Sequence, residues 1–153
     1  MTIFRIADSR HPVWRGTGAM LVGGRFNSPG RPVIHGALNF AGAMLEVLLH
    51  ARIGKVPRHH VYVEATVPDG VDIERVEADE LPAGWDGTDA RIARQVGDRW
   101  LEEARSAVLL VPSVVARAER NVLVNPTHPD ASGFVVSEQR PVVWDRRLFS
   151  NGK

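Results

Sequence analysis

The chain is predicted to fold as an α+β domain. Many short, β-branched segments are separated by turn residues, only two segments carry a convincing helical period, and strands and helices do not alternate as in a parallel βαβ sheet. No repeat, low-complexity tract or linker divides the sequence, so residues 1–153 are expected to form a single domain.

The strands are expected at Ile3 to Ile6, Pro32 to His35, His60 to Val67, Ala107 to Val111, Asn121 to Val124 and Phe134 to Trp144, the last broken near Gln139-Arg140-Pro141. The first helix opens at Asn39, a good N-cap, and stops at Gly54, with Met44, Val47, Leu48 and Ala51 repeating at helical spacing. A second line on it carries Asn39, Gly42, Glu46 and His50, small and polar residues that let a backbone or a ligand come close. The second helix is expected from Thr88 to about Ala104, with Ile92, Val96, Trp100 and Ala104 as its apolar seam. Between the helices, Val67 to Thr88 reads as an irregular loop rich in Pro, Gly and acids.

Composition removes whole classes of chemistry. A chain of 153 residues buries enough surface to be stable without staples, and the absence of cysteine excludes thiolate nucleophiles, zinc-thiolate sites and disulfides. The first residues, Met1 to Ile6, lack a basic segment followed by an apolar core, and the apolar runs are too short to span a bilayer, so a cytoplasmic protein without signal peptide or membrane span is expected. The formal net charge is +1, which gives no general drive toward nucleic acid. Its distribution is uneven: Arg10, Arg15, Arg25 and Arg31 make the first part basic, and Asp72, Glu74, Glu77, Asp79 and Glu80 make the middle acidic. A small anionic ligand near the N-terminal part fits this asymmetry.

Gly16-Thr17-Gly18-Ala19-Met20-Leu21 fails the dinucleotide fingerprint at its third glycine, and there is no phosphate-loop lysine, metalloprotease helix or nucleophile elbow. The histidines are scattered and no metal is expected. What remains is Gly23-Gly24-Arg25-Phe26-Asn27-Ser28-Pro29-Gly30, followed by His35 and Glu46, and the Pro112-Ser113 corner. Arginine presents a fixed charge and a planar fork that suits a pyrophosphate, and a helix glutamate can hold a ribose hydroxyl. Each residue also has a plain reading: Arg25 as a turn residue, His35 as a ring packed on the sheet, Ser113 as a strand-end cap. Glu46 sits among Ala43, Met44, Leu45, Val47 and Leu48, where a carboxylate either faces solvent or is held by a partner.

Together with Arg5, these segments, Pro32-Val33-Ile34-His35, Ala43 to His50, Val111 to Val115, and Asn121 to Pro126 with His128-Pro129 resemble the RES domain over nearly the whole chain. The resemblance implies a fold like that of NAD-using ADP-ribosyltransferases, a split antiparallel sheet flanked by helices with NAD in the cleft. It also implies a toxin of a bacterial toxin–antitoxin pair, neutralised by an Xre-type helix-turn-helix antitoxin. Arg25, Glu46 and Ser113 match the family's functional positions, and His35 stands where a tyrosine is usual.

On that resemblance, Glu46, Arg25 and His35 are the expected catalytic residues, and Arg25, His35, Ser113 and Asn27 the expected NAD contacts. Cleavage of the nicotinamide–ribose bond would pass ADP-ribose to a host protein, or to phosphate or water with depletion of NAD. The alternative is a binding module for a nucleotide or nucleic acid, against which the near-neutral charge and the lack of aromatic clustering count. An ordinary imidazole at His35 would charge as pH falls and repel the cationic nicotinamide ring, so turnover is expected to drop below about pH 6.

Overall fold

The computed structural model describes residues 1–50 and 55–150. Its elements run in the order β1 (Thr2–Asp8), α1 (Thr17–Val22), β2 (Ile34–Ala37), α2 (Phe40–His50), β3 (His60–Thr66), β4 (Ile73–Arg75), α3 (Arg91–Glu103), β5 (Val108–Pro112), β6 (Arg120–Val124), β7 (Val135–Val136) and β8 (Arg140–Pro141). The strands form one sheet in the order β4-β5-β6-β2-β1-β3-β7, with β8 also on β3. Every pairing is antiparallel except that of β4 with β5. The fold is thus the expected α+β class with a mostly antiparallel sheet.

The sheet is split between β2 and β1. β2 registers with β6 along its whole length, Ile34 opposite Val124 to Ala37 opposite Asn121, and β1 registers with β3 from Thr2 opposite Thr66 to Asp8 opposite His60. Between β1 and β2 the only register pair is Phe4 with Ala37. Beyond it the strands part, leaving two wings and an opening. Arg5 spans that opening: Nη1 donates to the carbonyl of His35 at 2.7 Å and Nε to that of Val13 at 2.5 Å.

One apolar cluster runs across the split and joins the wing of β1 and β3 to that of β5 and β6. β5 is buried at every position and packs on one face against Ile3, Ala65, Val122 and Phe134, and on the other, with Phe26, Leu81 and Trp85, against α3. α2 lies over β1 through Ile6, Ala37 and Ala43, with Phe40 stacked obliquely on Tyr62 at 4.7 Å. Asn39 caps α2 as expected, its Oδ1 accepting from the Gly42 amide at 2.6 Å. The Gly54 stop and Ala51 lie outside the described residues.

Several segments differ from expectation. The stretch from Val67 to Thr88 contains β4, whose three residues pair with Val108 to Leu110; so short a strand carries no period of its own and is fixed by its partner. The failed fingerprint Gly16 to Leu21 is the short helix α1, which has no buried residue and therefore no apolar stripe to betray it. In α3 the buried line is Ala93, Gly97 and Trp100, while Ala104 is exposed and ends the helix in the left-handed region at φ 46°. The region Phe134 to Trp144 yields only β7 and β8 on the outer edge of β3, and Pro141 pairs there, as an edge position without a required N–H allows.

Candidate active site

The Gly23–Gly30 loop is held on α3. At Gly97 an added Cβ would stand 1.7 Å from the Phe26 carbonyl oxygen, so only glycine lets the loop lie this close. One turn before Gly97 and directly after it the helix makes polar contacts: Arg94 Nε donates to the Gly24 carbonyl at 2.8 Å, and Asp98 accepts from the Ser28 amide at 2.9 Å and its hydroxyl at 2.5 Å. Arg25 is aimed from this loop across to the segment before α3, where Nη1 donates to the carbonyls of Trp85 at 3.0 Å and Gly87 at 2.8 Å. Among the described residues its remaining nitrogens have no hydrogen-bond partner and no carboxylate lies within ion-pair reach.

Asn27 closes the loop from inside. Its side chain is fully buried, Nδ2 donating to the carbonyls of Ala19 at 2.8 Å and Arg31 at 3.1 Å, and Oδ1 lying 3.2 Å from His35 Nε2. With the amide nitrogen committed to two acceptors, Oδ1 is the acceptor for His35, which fixes the Nε2–H tautomer and leaves Nδ1 as an acceptor. Asn27 does not line the cleft. It positions the loop and His35, in contrast to the ligand contact expected from the sequence.

His35 stays neutral. Burial, then the charges of Arg5 and His50, push its pKa down to about 4. This overturns the expectation of a histidine that charges below pH 6. Arg5 is itself pushed down to about 10 by burial and remains a cation at neutral pH. Nothing in the local sequence marks it as buried; the split between β1 and β2 makes it so.

Glu46, on α2, is held by two donors to one oxygen: Asn121 Nδ2 at 2.8 Å and Ser113 Oγ at 3.3 Å both reach Oε1. Ser113 is buried, and its Oγ also accepts from the Ala116 amide at 3.0 Å, so the corner after β5 is a fixed platform. The Glu46 side chain is therefore held by partners, which resolves the alternative left open by its apolar neighbours. Asn121 escaped sequence reasoning because an asparagine at a strand start reads as a turn signal.

Arg25, His35 and Glu46 line one cleft of about 1220 Å³ at the split in the sheet, with Asn121 and Arg5 in its wall. Its size accommodates a dinucleotide, since pockets for drug-sized ligands are about 300–1,000 Å³. The polar groups fit one too: among the described residues the cleft offers Arg25 and Arg94 with no carboxylate partner, an imidazole, and a carboxylate with one oxygen unbonded.

The class of protein that the fold and site define is an α+β domain whose split antiparallel sheet presents an arginine, an imidazole and a fixed carboxylate in one cleft. The chain belongs to the RES domain family, whose model matches residues 2–145. It is 39% identical over 137 residues to the Prs ADP-ribosylating toxin of Sphingobium sp. (strain YBL2), covering 88% of this chain and 85% of that protein. It is 34% identical over 151 residues to Toxin Res of Pseudomonas putida, covering 97% and 100%. Among solved structures, the Mycobacterium tuberculosis MbcT–MbcA toxin–antitoxin complex contains a chain that matches with a TM-score of 0.74 at 20% identity, over 97% of this chain and 86% of that one, a likeness of fold.

Proposed function

We propose that this protein is the toxin of a toxin–antitoxin pair and cleaves the nicotinamide–ribose bond of NAD, drawing on the cytoplasmic pool. The observation that carries the reading is the single cleft shared by Arg25, His35 and Glu46, with the Glu46 carboxylate oriented by Asn121 and Ser113. The name of one relative, an ADP-ribosylating toxin, supplies the reaction class.

The C1′–N bond of NAD breaks with its electron pair going to the pyridinium nitrogen, which leaves as neutral nicotinamide. Positive charge grows on the ribose ring as the bond lengthens, and a carboxylate beside the ribose hydroxyls stabilises that charge more in the transition state than in the ground state. Glu46 has this role, with Oε1 fixed and Oε2 unbonded among the described residues. Arg25 binds the pyrophosphate. His35, neutral and with Nδ1 as an acceptor, faces the nicotinamide half without repelling its positive ring, and Ser113 acts through Glu46. An oxygen nucleophile then bonds to C1′ and gives up its proton: water, phosphate or a side chain of a host protein. Residues 1–153 carry this activity as one domain, and an Xre-type helix-turn-helix antitoxin neutralises it.

The test is incubation of the purified protein with NAD, with and without phosphate and with cell extract, following free nicotinamide and labelled protein. Nicotinamide release is expected, and the condition that accelerates it identifies the acceptor. A folded protein that binds NAD and releases none would instead be a binding module.

A further inference from the structure

Arginines on this protein mostly have acidic partners: Arg10 bonds Asp8, Arg31 lies 3.7 Å from Asp98, Arg117 bonds Asp86 and Arg120 bonds Glu77. Two arginines of the cleft depart from this pattern, while Arg10 and Asp8 line the same cleft as a pair. Arg25 and Arg94 both line it, both are half-buried, and among the described residues neither has a carboxylate within 4.0 Å. Asp98, one turn along α3 from Arg94, is taken by Ser28 and Arg31. The charge of Asp86 acts on Arg25 only from beyond contact distance, and that carboxylate is bonded to Arg117. A half-buried guanidinium with no carboxylate in contact is costly, and its arrangement here is what a site for an anion looks like from the protein's side.

The two arginines are mounted alike. Each spends one nitrogen on main-chain carbonyls, Arg25 through Nη1 to Trp85 and Gly87, Arg94 through Nε to Gly24, the residue before Arg25. Each keeps its other donors uncommitted. The shared attachment ties their positions together, since the carbonyl that orients Arg94 belongs to the loop that carries Arg25. We infer that Arg94 is a second substrate-binding arginine, and that Arg25 and Arg94 form a two-fork clamp for a diphosphate. This rests on the reading of the cleft as a NAD site, with the diphosphate that of NAD. Two guanidinium forks match the several oxygens of a diphosphate with directed, charge-assisted bonds in a way that one cannot.

A merely structural Arg94 would act only by holding the Arg25 loop, and a double-mutant cycle separates the cases. The affinity of the purified protein for ADP is measured by calorimetry in the parent, Arg94→Gln, Arg25→Gln and the double variant, with thermal melts to confirm folding. Arg94→Gln is expected to weaken ADP binding at least about tenfold, and to weaken it further when Arg25 is already replaced. In steady-state NAD cleavage it raises KM with kcat nearly unchanged, as loss of uniform binding does. Arg94→Lys should recover only part of the affinity. The inference is overturned if the parent does not bind ADP, if Arg94→Gln binds it as the parent does, or if the second replacement costs nothing beyond Arg25→Gln. Failure of the NAD reading is distinct: the parent would release no nicotinamide, while the ADP losses would stand.

Discussion

Asn27 Oδ1 sits 3.2 Å from His35 Nε2, and because Asn27 Nδ2 is spent on the carbonyls of Ala19 and Arg31, one buried amide sets both the loop and the histidine tautomer. Asn27→Ala leaves the Arg31 carbonyl and the His35 ring N–H without their amide partner, while the Ala19 carbonyl keeps the Gly23 amide at 2.8 Å. At about 1–3 kcal/mol for each orphaned group, this variant should lose several kcal/mol of stability, read as a lower urea midpoint. An unchanged midpoint would mean that water takes over both bonds.

The pH dependence follows from His35. Its folded pKa of about 4 lies below the unfolded value of 6.5, so above pH 6.5 the group makes stability no function of pH. As pH falls from 6.5 toward 4 the unfolded chain takes up a proton that the folded chain refuses, and stability drops, by roughly 3 kcal/mol at the lower end. His60, depressed chiefly by burial, acts in the same direction. NAD cleavage should therefore persist at pH 5.5, where the protein is folded and His35 is neutral. Urea titrations at pH 7 and pH 5 check the stability component, which His35→Tyr should reduce. A steep loss of turnover at pH 6 in fully folded protein would assign the titration to another group.

Glu46 and Asn121 make a matched pair of tests. Glu46→Gln removes the charge aimed at the ribose and should lower kcat by orders of magnitude with the melting temperature nearly kept. Asn121→Ala keeps the charge but frees the carboxylate from its 2.8 Å donor, leaving only the longer bond from Ser113. It should lower kcat by about ten- to a hundredfold with little change in KM, as expected for a positioning group. Turnover by Glu46→Gln at the parent rate would remove Glu46 from the mechanism, and an unaffected Asn121→Ala would show Ser113 to be sufficient.

Much of this arrangement was legible before the structure. Asn39 was readable as the cap of α2, and that helix puts Glu46 into the cleft. The loop composition around Arg25 announced a turn with one fixed cation. Three things were not legible, each because it depends on long-range contact. Arg5 becomes a cleft residue only where β1 and β2 part. The low pKa of His35 needs the burial and charges that tertiary structure supplies. Asn27, in a turn-forming context, gave no sign that its amide points inward. The seam of α3 holds at Ile92, Val96 and Trp100 and fails at the exposed Ala104, and hydrophobic patterning ignores Gly97, where the Gly23–Gly30 loop comes closest to the helix.

Gly97→Ala tests that contact. Its Cβ would meet the Phe26 carbonyl at 1.7 Å, which no rotamer change relieves, so the loop carrying Arg25 must lift from α3. The variant should lose several kcal/mol in denaturant titrations, well beyond a typical substitution, and bind NAD poorly if it folds. Gly18→Ala is the control: nothing lies within 4 Å of the added methyl, and in α1 it should be neutral or stabilise by up to about 1 kcal/mol. Equal effects of the two changes would show that helix propensity, and not the close approach, governs both.

Arg25→Lys retains the charge and discards the fork. In the parent, Nη1 is anchored on Trp85 and Gly87 while the rest of the guanidinium faces the cleft. A lysine has one nitrogen for both tasks, so it either keeps the anchor and loses the ligand or the reverse. NAD affinity should fall by about ten- to a hundredfold, the worth of one or two charge-assisted bonds. The Trp85 indole resonance, resolved by NMR from those of Trp14, Trp100 and Trp144, reports the other half of the choice. A shift without NAD means that the ammonium has left the carbonyls, and an unshifted spectrum with weak NAD binding means that it has stayed. Parent-like affinity in the lysine variant would make Arg25 a tether between its loop and residues 85–87, with no part in binding.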